Sequence, residues 1–216
     1  MREGCYLRGM RGLAAALLFA LLAGAGWLLL QRRRPVPMPA GLSFLLESRY
    51  VERFAGPELL LERSGVSAGM RVLDAGCGAG RLAVSAARRV GPAGEVVALD
   101  VREGMLSRLR GRVSREGLRN VRAVRAALGE GELEEGGFDR VLLAMVLGEV
   151  RDREAALREL YRALRPGGVL SVTELFPDPD YRRPQTVLRL AEGAGFRPEA
   201  RYGRFPAFTL NLRRPA

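Results

Sequence analysis

The chain has 216 residues, 48% of them apolar, which allows one ordinary domain with a full core and something extra. All 35 basic residues are arginine, there is no histidine, and two cysteines, Cys5 and Cys77, are too few for a disulfide scaffold, so a zinc site and a disulfide framework are both excluded. The net charge of +11 is uneven, because residues 1–40 hold six arginines against one glutamate. The rest is dispersed among acids, as on a solvated surface, and no nucleic acid is expected as a partner.

From the N-terminus, Gly12 to Leu30 contains no charged residue and is mostly Leu and Ala. At about 1.5 Å per residue this nearly matches a bilayer core, and the spacing predicts one transmembrane helix. The run ends in Trp27 and three leucines, unlike a signal-peptide cleavage site. Arg32, Arg33 and Arg34 follow, which favours a cytoplasmic position for that flank. Pro35, Pro37 and Pro39 make a stiff spacer. The expected organisation is an anchor and spacer over 1–40, then one domain over 41–216. The expected location is the membrane, single-pass, with that domain in the cytoplasm.

Leu42, Leu45, Leu46, Tyr50 and Phe54 share a helical face, and Gly56-Pro57 divides the segment 42–63 into two helices. After that the pattern alternates. Strands are expected at 71–75, 95–99, 121–124, 138–145 and 169–175. Helices are expected at 81–90, around Met105 to Val113 with Gly117 as a stop, after the N-cap Asp152, and up to Ala194. Arg165-Pro166-Gly167-Gly168 is read as the stop of the Asp152 helix, and two strands around Gly203 and Pro206 close the chain. Alternating strands and helices predict a Rossmann-like, doubly wound sheet. It should be a mostly parallel, three-layer α/β/α arrangement with a C-terminal antiparallel hairpin, preceded by the one transmembrane helix.

Val72 to Ala83 reads VLDAGCGAGRLA, a strand, a glycine-studded turn and a helix. The dinucleotide fingerprint needs a sixth-place glycine where this chain has Arg81, and the P-loop needs a lysine that the chain lacks. Glycines at the carboxyl end of a first strand let a ligand lie on the backbone. Asp100 ends the neighbouring strand, where a carboxylate accepts two ribose hydroxyls well.

Several motifs in order resemble the class I S-adenosylmethionine (SAM)-dependent methyltransferases, in particular the small-molecule branch related to quinone biosynthesis. They are VLDAGCGAG, VVALDV, FDRVLLAMVLGEV and ALRPGGVLSVTE, with the terminal hairpin. The resemblance covers about residues 57–212. It implies SAM as cofactor, touched by Asp74, Gly76, Cys77, Gly78, Gly80, Asp100, Val101, Ala126, Ala127 and Met145. Asp74 would hold the methionine end of the cofactor; the alternative is a helix or loop cap. Cys77 is a small packing residue with no histidine to activate it. The family's usual acid after the third strand is replaced by Arg125-Ala126-Ala127-Leu128. That leaves adenine to the backbone of Ala126 and Ala127.

Methyl transfer from a sulfonium depends on alignment, and a base is needed only if the acceptor must lose a proton. Glu149 is the leading candidate. Glu174 and Tyr181, with Asp178 and Asp180, are candidates for the wall of the acceptor pocket; for each the alternative is a surface or turn residue. No Asn/Asp-Pro-Pro-Tyr/Phe follows the fourth strand and no Pro-Cys pair occurs. These absences disfavour nucleic-acid base methylation, and a single cysteine in the domain disfavours an arsenite acceptor. A small or lipidic acceptor remains, and the anchor tilts it toward a membrane-resident one. The competing classes are a catalytically silent SAM-binding or scaffold module and an NAD(P)-dependent oxidoreductase.

Overall fold

The structure, a computed structural model, describes residues 49–133 and 136–216. The expected anchor at 12–30, its spacer, and residues 42–48 of the first amphipathic segment lie outside the described residues. Among the described residues no helix is long and apolar enough to cross a membrane.

Gly56-Pro57 separates α1 (Arg49–Ala55) from α2 (Pro57–Arg63), with Pro57 at the first turn of α2. Then β1 (Arg71–Ala75), α3 (Arg81–Val90), β2 (Glu95–Asp100), α4 (Glu103–Arg115) and β3 (Val121–Arg125) follow the alternation of the sequence. No helix lies between β3 and β4 (Phe138–Ala144) among the described residues. There the buried Glu159 instead pins the loop, its carboxylate accepting from the amides of Gly129 at 2.6 Å and Leu133 at 2.8 Å. Next come α5 (Arg153–Ala163), β5 (Leu164–Leu175), α6 (Pro184–Gly193), β6 (Arg197–Tyr202) and β7 (Ala207–Arg213). Asp152 caps α5 by accepting from the Ala155 amide at 2.9 Å.

The seven strands form one sheet in the order β3-β2-β1-β4-β5-β7-β6. The first five are parallel, and β7 joins β5 antiparallel with β6 outside it. Side chains alternate across the sheet. Val72, Val96, Ala98 and Leu142 pack under α1 to α4, whereas Leu73, Val97, Val141 and Leu143 pack against α5 and α6. A buried polar ladder ties α2 to the antiparallel seam. Ser171 Oγ donates to Asn211 Oδ1 at 2.7 Å, Asn211 Nδ2 donates to the Arg63 carbonyl at 2.8 Å, and Thr173 and Thr209 share a hydroxyl bond of 3.0 Å.

Two strand starts differ from the sequence reading, while β2, β3 and β4 end within one residue of it. β5 begins at Leu164, directly after α5, because Leu164 pairs with Phe138 and the Pro-Gly-Gly segment is absorbed as an irregularity in the ladder. β6 begins at Arg197, whose partner Arg213 extends the hairpin beyond the alternating apolar stretch. Among the described residues, the sheet brings the carboxyl ends of β1, β2, β4 and β5 to one edge, together with the β6–β7 turn.

Candidate active site

The glycine loop starts where β1 ends, and the amides of Gly76 and Cys77 both donate to the Leu99 carbonyl, at 2.7 and 2.8 Å. Gly76, Gly78 and Gly80 have φ of 81, 53 and 85°, a region that favours glycine. Their missing Cβ atoms serve different ends. A Cβ on Gly76 would stand 2.4 Å from Val146 Cγ2, and one on Gly80 would stand 2.2 Å from Leu109 Cδ1. These two glycines let the loop pack on its neighbours, which corrects the view that all three leave room for a ligand. Only at Gly78 would a Cβ meet nothing within 4 Å.

Beside this loop, Asp74 is 2% exposed and its Oδ2 has no hydrogen-bond partner. Burial raises its pKa to about 7, against the Ala83 amide, which lowers it, and with the nearby charge of Asp100, which raises it further. Ala83 lies in the first turn of α3, so that end of the helix favours the charged form of the Asp74 carboxylate. Its Oδ2 is left for something else.

Asp100 is 3% exposed and fully engaged by the protein. Its Oδ2 accepts from the Gly78 amide at 3.0 Å, and its Oδ1 accepts from the Arg102 amide at 2.8 Å. The Arg102 guanidinium clasps both oxygens, at 3.1 and 3.3 Å. Asp100 thus tethers the glycine loop to the start of α4. Arg102 also feels the charge of Glu149, so one cation couples the Asp100 and Glu149 acids electrostatically. Sequence reasoning missed Arg102; its position two residues after Asp100 was the available signal.

At the end of β4, Met145 takes φ +56°, the only non-glycine among the described residues with positive φ. Its amide donates to the Thr173 carbonyl at 2.8 Å. This twist lays Val146 on Gly76 and starts the turn that carries Glu149. Two arginines clamp that turn: Arg153 donates to the carbonyls of Leu147 at 3.1 Å and Gly148 at 2.8 Å, and Arg182 reaches the Gly148 carbonyl at 3.3 Å. Gly148 is pressed on the 178–181 segment so closely that a Cβ would lie 1.9 Å from the Asp180 carbonyl oxygen.

The acceptor-side acids are therefore brought together. Burial raises the pKa of Glu149 to about 7; Arg102 opposes the rise, while Asp178, Asp180 and Asp100 add to it. Glu174 is 1% exposed, with Oε2 accepting from the Arg182 amide at 3.1 Å and Oε1 unpartnered. Burial lifts its pKa to about 8, against the Arg182 amide. Burial also raises that of Asp178. Tyr181 packs edge-on against Phe176 and Phe208, at 6.3 and 6.0 Å between centroids. It lines the exit from β5 as an aromatic wall.

The remaining candidates sit at the margins of the site. Val101 is 46% exposed beside Asp100, and Ala126 is 3% exposed. The Ala127 amide donates to Glu132 Oε2 at 2.7 Å, so an acid does stand after β3, supplied by the following loop. Burial and the carboxylates of Asp74 and Asp100 push the Cys77 thiol up, which keeps it unreactive.

Residues 72–168 match the family model for a methyltransferase domain. This part of the chain is similar to methyltransferase domains. The chain is 39% identical over 115 residues to the ubiquinone/menaquinone biosynthesis C-methyltransferase UbiE of Idiomarina loihiensis, covering 53% of this chain and 46% of the relative. It is 41% identical to UbiE of Pseudomonas putida, with coverage of 53% and 45%. The chain thus spans about half the length of the curated relatives it matches. A SAM-dependent methyltransferase from Aquifex aeolicus superposes with a TM-score of 0.75 at 25% identity, over 82% of this chain and 98% of that one. The orphaned Asp74 oxygen and the open backbone at Gly78 fit an amino-acid group carrying an ammonium, whereas the two ribose hydroxyls expected at Asp100 find its oxygens already taken by the Gly78 and Arg102 donors, so a ribose fits there only where the Arg102 guanidinium gives way.

The glycines give the first prediction for this domain. Gly80→Ala should lower stability by about 1–3 kcal/mol in chemical denaturation, because Leu109 must move. Gly78→Ala should cost about 1 kcal/mol of backbone strain but weaken SAM binding at least about tenfold in calorimetry. Equal stability losses with unchanged binding would mean that Gly78 does not face the cofactor.

The buried acids give the second. A carboxylate whose folded pKa lies above its unfolded value holds a proton that unfolding releases, so it loses stability as pH rises from about 4 to the folded value. Glu174, at about 8, follows this rule. Glu174→Gln should therefore melt progressively higher than the parent chain as pH goes from about 5 to about 8. A constant difference across that range would contradict the burial of its charge.

Proposed function

We propose that the chain transfers a methyl group from SAM to a small, quinone-like or lipidic acceptor bound at the carboxyl ends of β4 and β5. One observation carries the reading: a buried aspartate with an unpartnered oxygen, Asp74, beside the open Gly78 backbone and across the loop from Asp100. Asp74 with the Gly78 backbone would hold the cofactor, Asp100 would receive its ribose in exchange for the Arg102 guanidinium, and the Ala126–Ala127 backbone with Glu132 would border its base. Bound SAM supplies a methyl group on a positively charged sulfur, already electrophilic. The protein's part is to position the acceptor, exclude water and take up a proton.

The two curated relatives are named as C-methyltransferases of ubiquinone and menaquinone biosynthesis. Methylating a carbon replaces a C–H bond with a C–C bond, so the acceptor must lose a proton. Glu149, with its pKa near 7, is close to half ionised at neutral pH and suits that task. Glu174, still protonated there, can donate its O–H to an acceptor oxygen. Asp178 and Tyr181 would border the acceptor beside it. The anchor reading joins this proposal: residues 12–30 span the bilayer, Arg32 to Arg34 hold their flank in the cytoplasm, and the domain works there on a membrane-resident acceptor.

The test is to incubate the full chain and membranes with methyl-labelled SAM and identify the labelled product. Turnover should rise as pH passes about 7, when Glu149 ionises, and fall above about 8, when Glu174 loses its proton. Glu149→Gln should lower turnover about 10²-fold and remove the acidic limb, with SAM affinity unchanged. A variant with full activity and the parent pH profile would exclude Glu149 as the base.

A further inference from the structure

The large apolar side chains that remain exposed among the described residues are Tyr50, Val101, Phe176, Tyr202 and Phe205, and all five gather at one end of the sheet. Val101 follows β2 and Phe176 follows β5. Tyr202 ends β6, and Phe205 lies in the turn to β7, whose first residue pairs with Leu175. Phe205 is 76% exposed, and its ring sits 5.3 Å from that of Phe176. Tyr50 Oη donates to the Phe176 carbonyl at 2.5 Å, and its ring lies 5.1 Å from Phe54. The aromatic groups of α1, the β5 exit and the β6–β7 turn therefore form one patch, continued inward by Tyr181 to the acceptor side of the site.

The α1 and β6–β7 sides of this patch are basic, whereas Asp178 and Asp180 follow Phe176 on the side toward the site. Arg49 and Arg53 flank Tyr50 on α1, with Arg53 over the Phe54 ring at 5.7 Å, and Arg204 precedes Phe205. No salt bridge among the described residues involves these three arginines. Glu52, on the same helix, is taken up by Arg81 at 3.2 Å. At the opposite end of the sheet, Arg71 pairs with Glu95 at 2.7 Å, Arg165 with Asp139 at 2.6 Å, and Arg213 with Glu199. The patch end has ion pairs too, Arg182 with Asp180 at 3.7 Å and Arg102 with Asp100 at 3.1 Å, but its exposed aromatics stand beside three arginines that take part in none of them. Isolated exposed aromatics need no explanation, but a contiguous group flanked by cations is the composition of an interfacial contact. Residues 31–48 join the uncharged 12–30 run to α1, and a segment of that length reaches about 65 Å at most.

We propose that the Tyr50–Phe176–Phe205 patch docks the domain on an anionic lipid surface, its arginines against headgroups and its rings at the acyl boundary. The acceptor side of the site, behind Tyr181, then faces the bilayer, and an acceptor dissolved in lipid reaches it without crossing water. This deepens the proposed function and rests on it for the acceptor, whereas the docking surface itself rests on the patch.

The experiment places a single tryptophan on the patch of the full chain, by combining Trp27→Phe with Phe205→Trp, in nanodiscs containing phosphatidylglycerol and acyl-brominated phosphatidylcholine. A chain with Trp27→Phe and Ser67→Trp serves as control, because Ser67 is exposed in the loop before β1, at the opposite end. Tryptophan at 205 should emit further to the blue and be quenched about twofold by the bromines, whereas tryptophan at 67 should not. The quenching should fall when Arg49, Arg53 and Arg204 are changed to glutamate, and also in wholly zwitterionic discs. Equal behaviour of the two tryptophans overturns the proposal. So does a blue shift at 205 that grows with protein concentration in lipid-free detergent, which would assign the patch to a second copy of the chain. SAM calorimetry on the same discs separates the two readings. SAM binding without quenching refutes the docking alone, and quenching without SAM binding refutes the methyltransferase reading alone.

Discussion

Taking carboxylates out of water is the costly act on which this molecule is organised. Asp74, Asp100 and Glu174 are each no more than 3% exposed, and all three stand where parallel strands end. An unpaired buried charge is strongly unfavourable, so each acid either finds donors or keeps its proton. Asp100 takes the first course, with the Gly78 and Arg102 amides and the Arg102 guanidinium. Asp74 and Glu174 take the second in part, each with one oxygen left unpartnered and a raised pKa. Such poise is characteristic of sites that bind cations or move protons. The apolar clusters on both faces of the sheet make it sustainable, because they fix the strand ends rigidly enough to keep water out.

Backbone shape carries the rest of the site. The glycine loop bends through three positive-φ residues, yet two of the three are dictated by packing against Val146 and Leu109. Val146 in turn is placed by Met145, which accepts a left-handed conformation with no help from a missing side chain. Loop and β4 exit are thus fitted to each other, and the Glu149 turn follows from that fit under the hold of Arg153 and Arg182. Cofactor side and acceptor side are mechanically one unit, and Arg102 couples them electrostatically.

Much of this was legible in the sequence because period and punctuation agreed. The runs at 71–75 and 81–90 were read with the observed limits, since apolar residues, glycine and an acid mark both ends. Asp152 was readable as a cap because capping is a local chemistry. The start of β5 was not legible: Pro-Gly-Gly is locally a stop signal, and only pairing with Phe138 makes it part of a strand. For the same reason the three glycines looked equivalent, since what a Cβ would strike lies 29 to 70 residues away in sequence. Arg102 and Glu132 were missed because their meaning depends on which carboxylate or amide the fold brings near. The segment 12–30 shows its apolar character in the sequence but lies outside the described residues.

Asp74 would meet the cationic end of the cofactor, and the rest of the site is arranged around that contact. The most direct measurement is calorimetry of SAM binding to the full chain near pH 7, in two buffers of different ionisation enthalpy. A cation beside Asp74, whose pKa is about 7, favours its ionised form, so binding should release a fraction of a proton. The predicted result is an affinity in the micromolar range, about −8 kcal/mol, with a buffer-dependent heat. Asp74→Asn should lose both the affinity and that dependence. Undiminished SAM binding to the asparagine variant with the same buffer-dependent heat, or binding of NADH in place of SAM, would contradict the account.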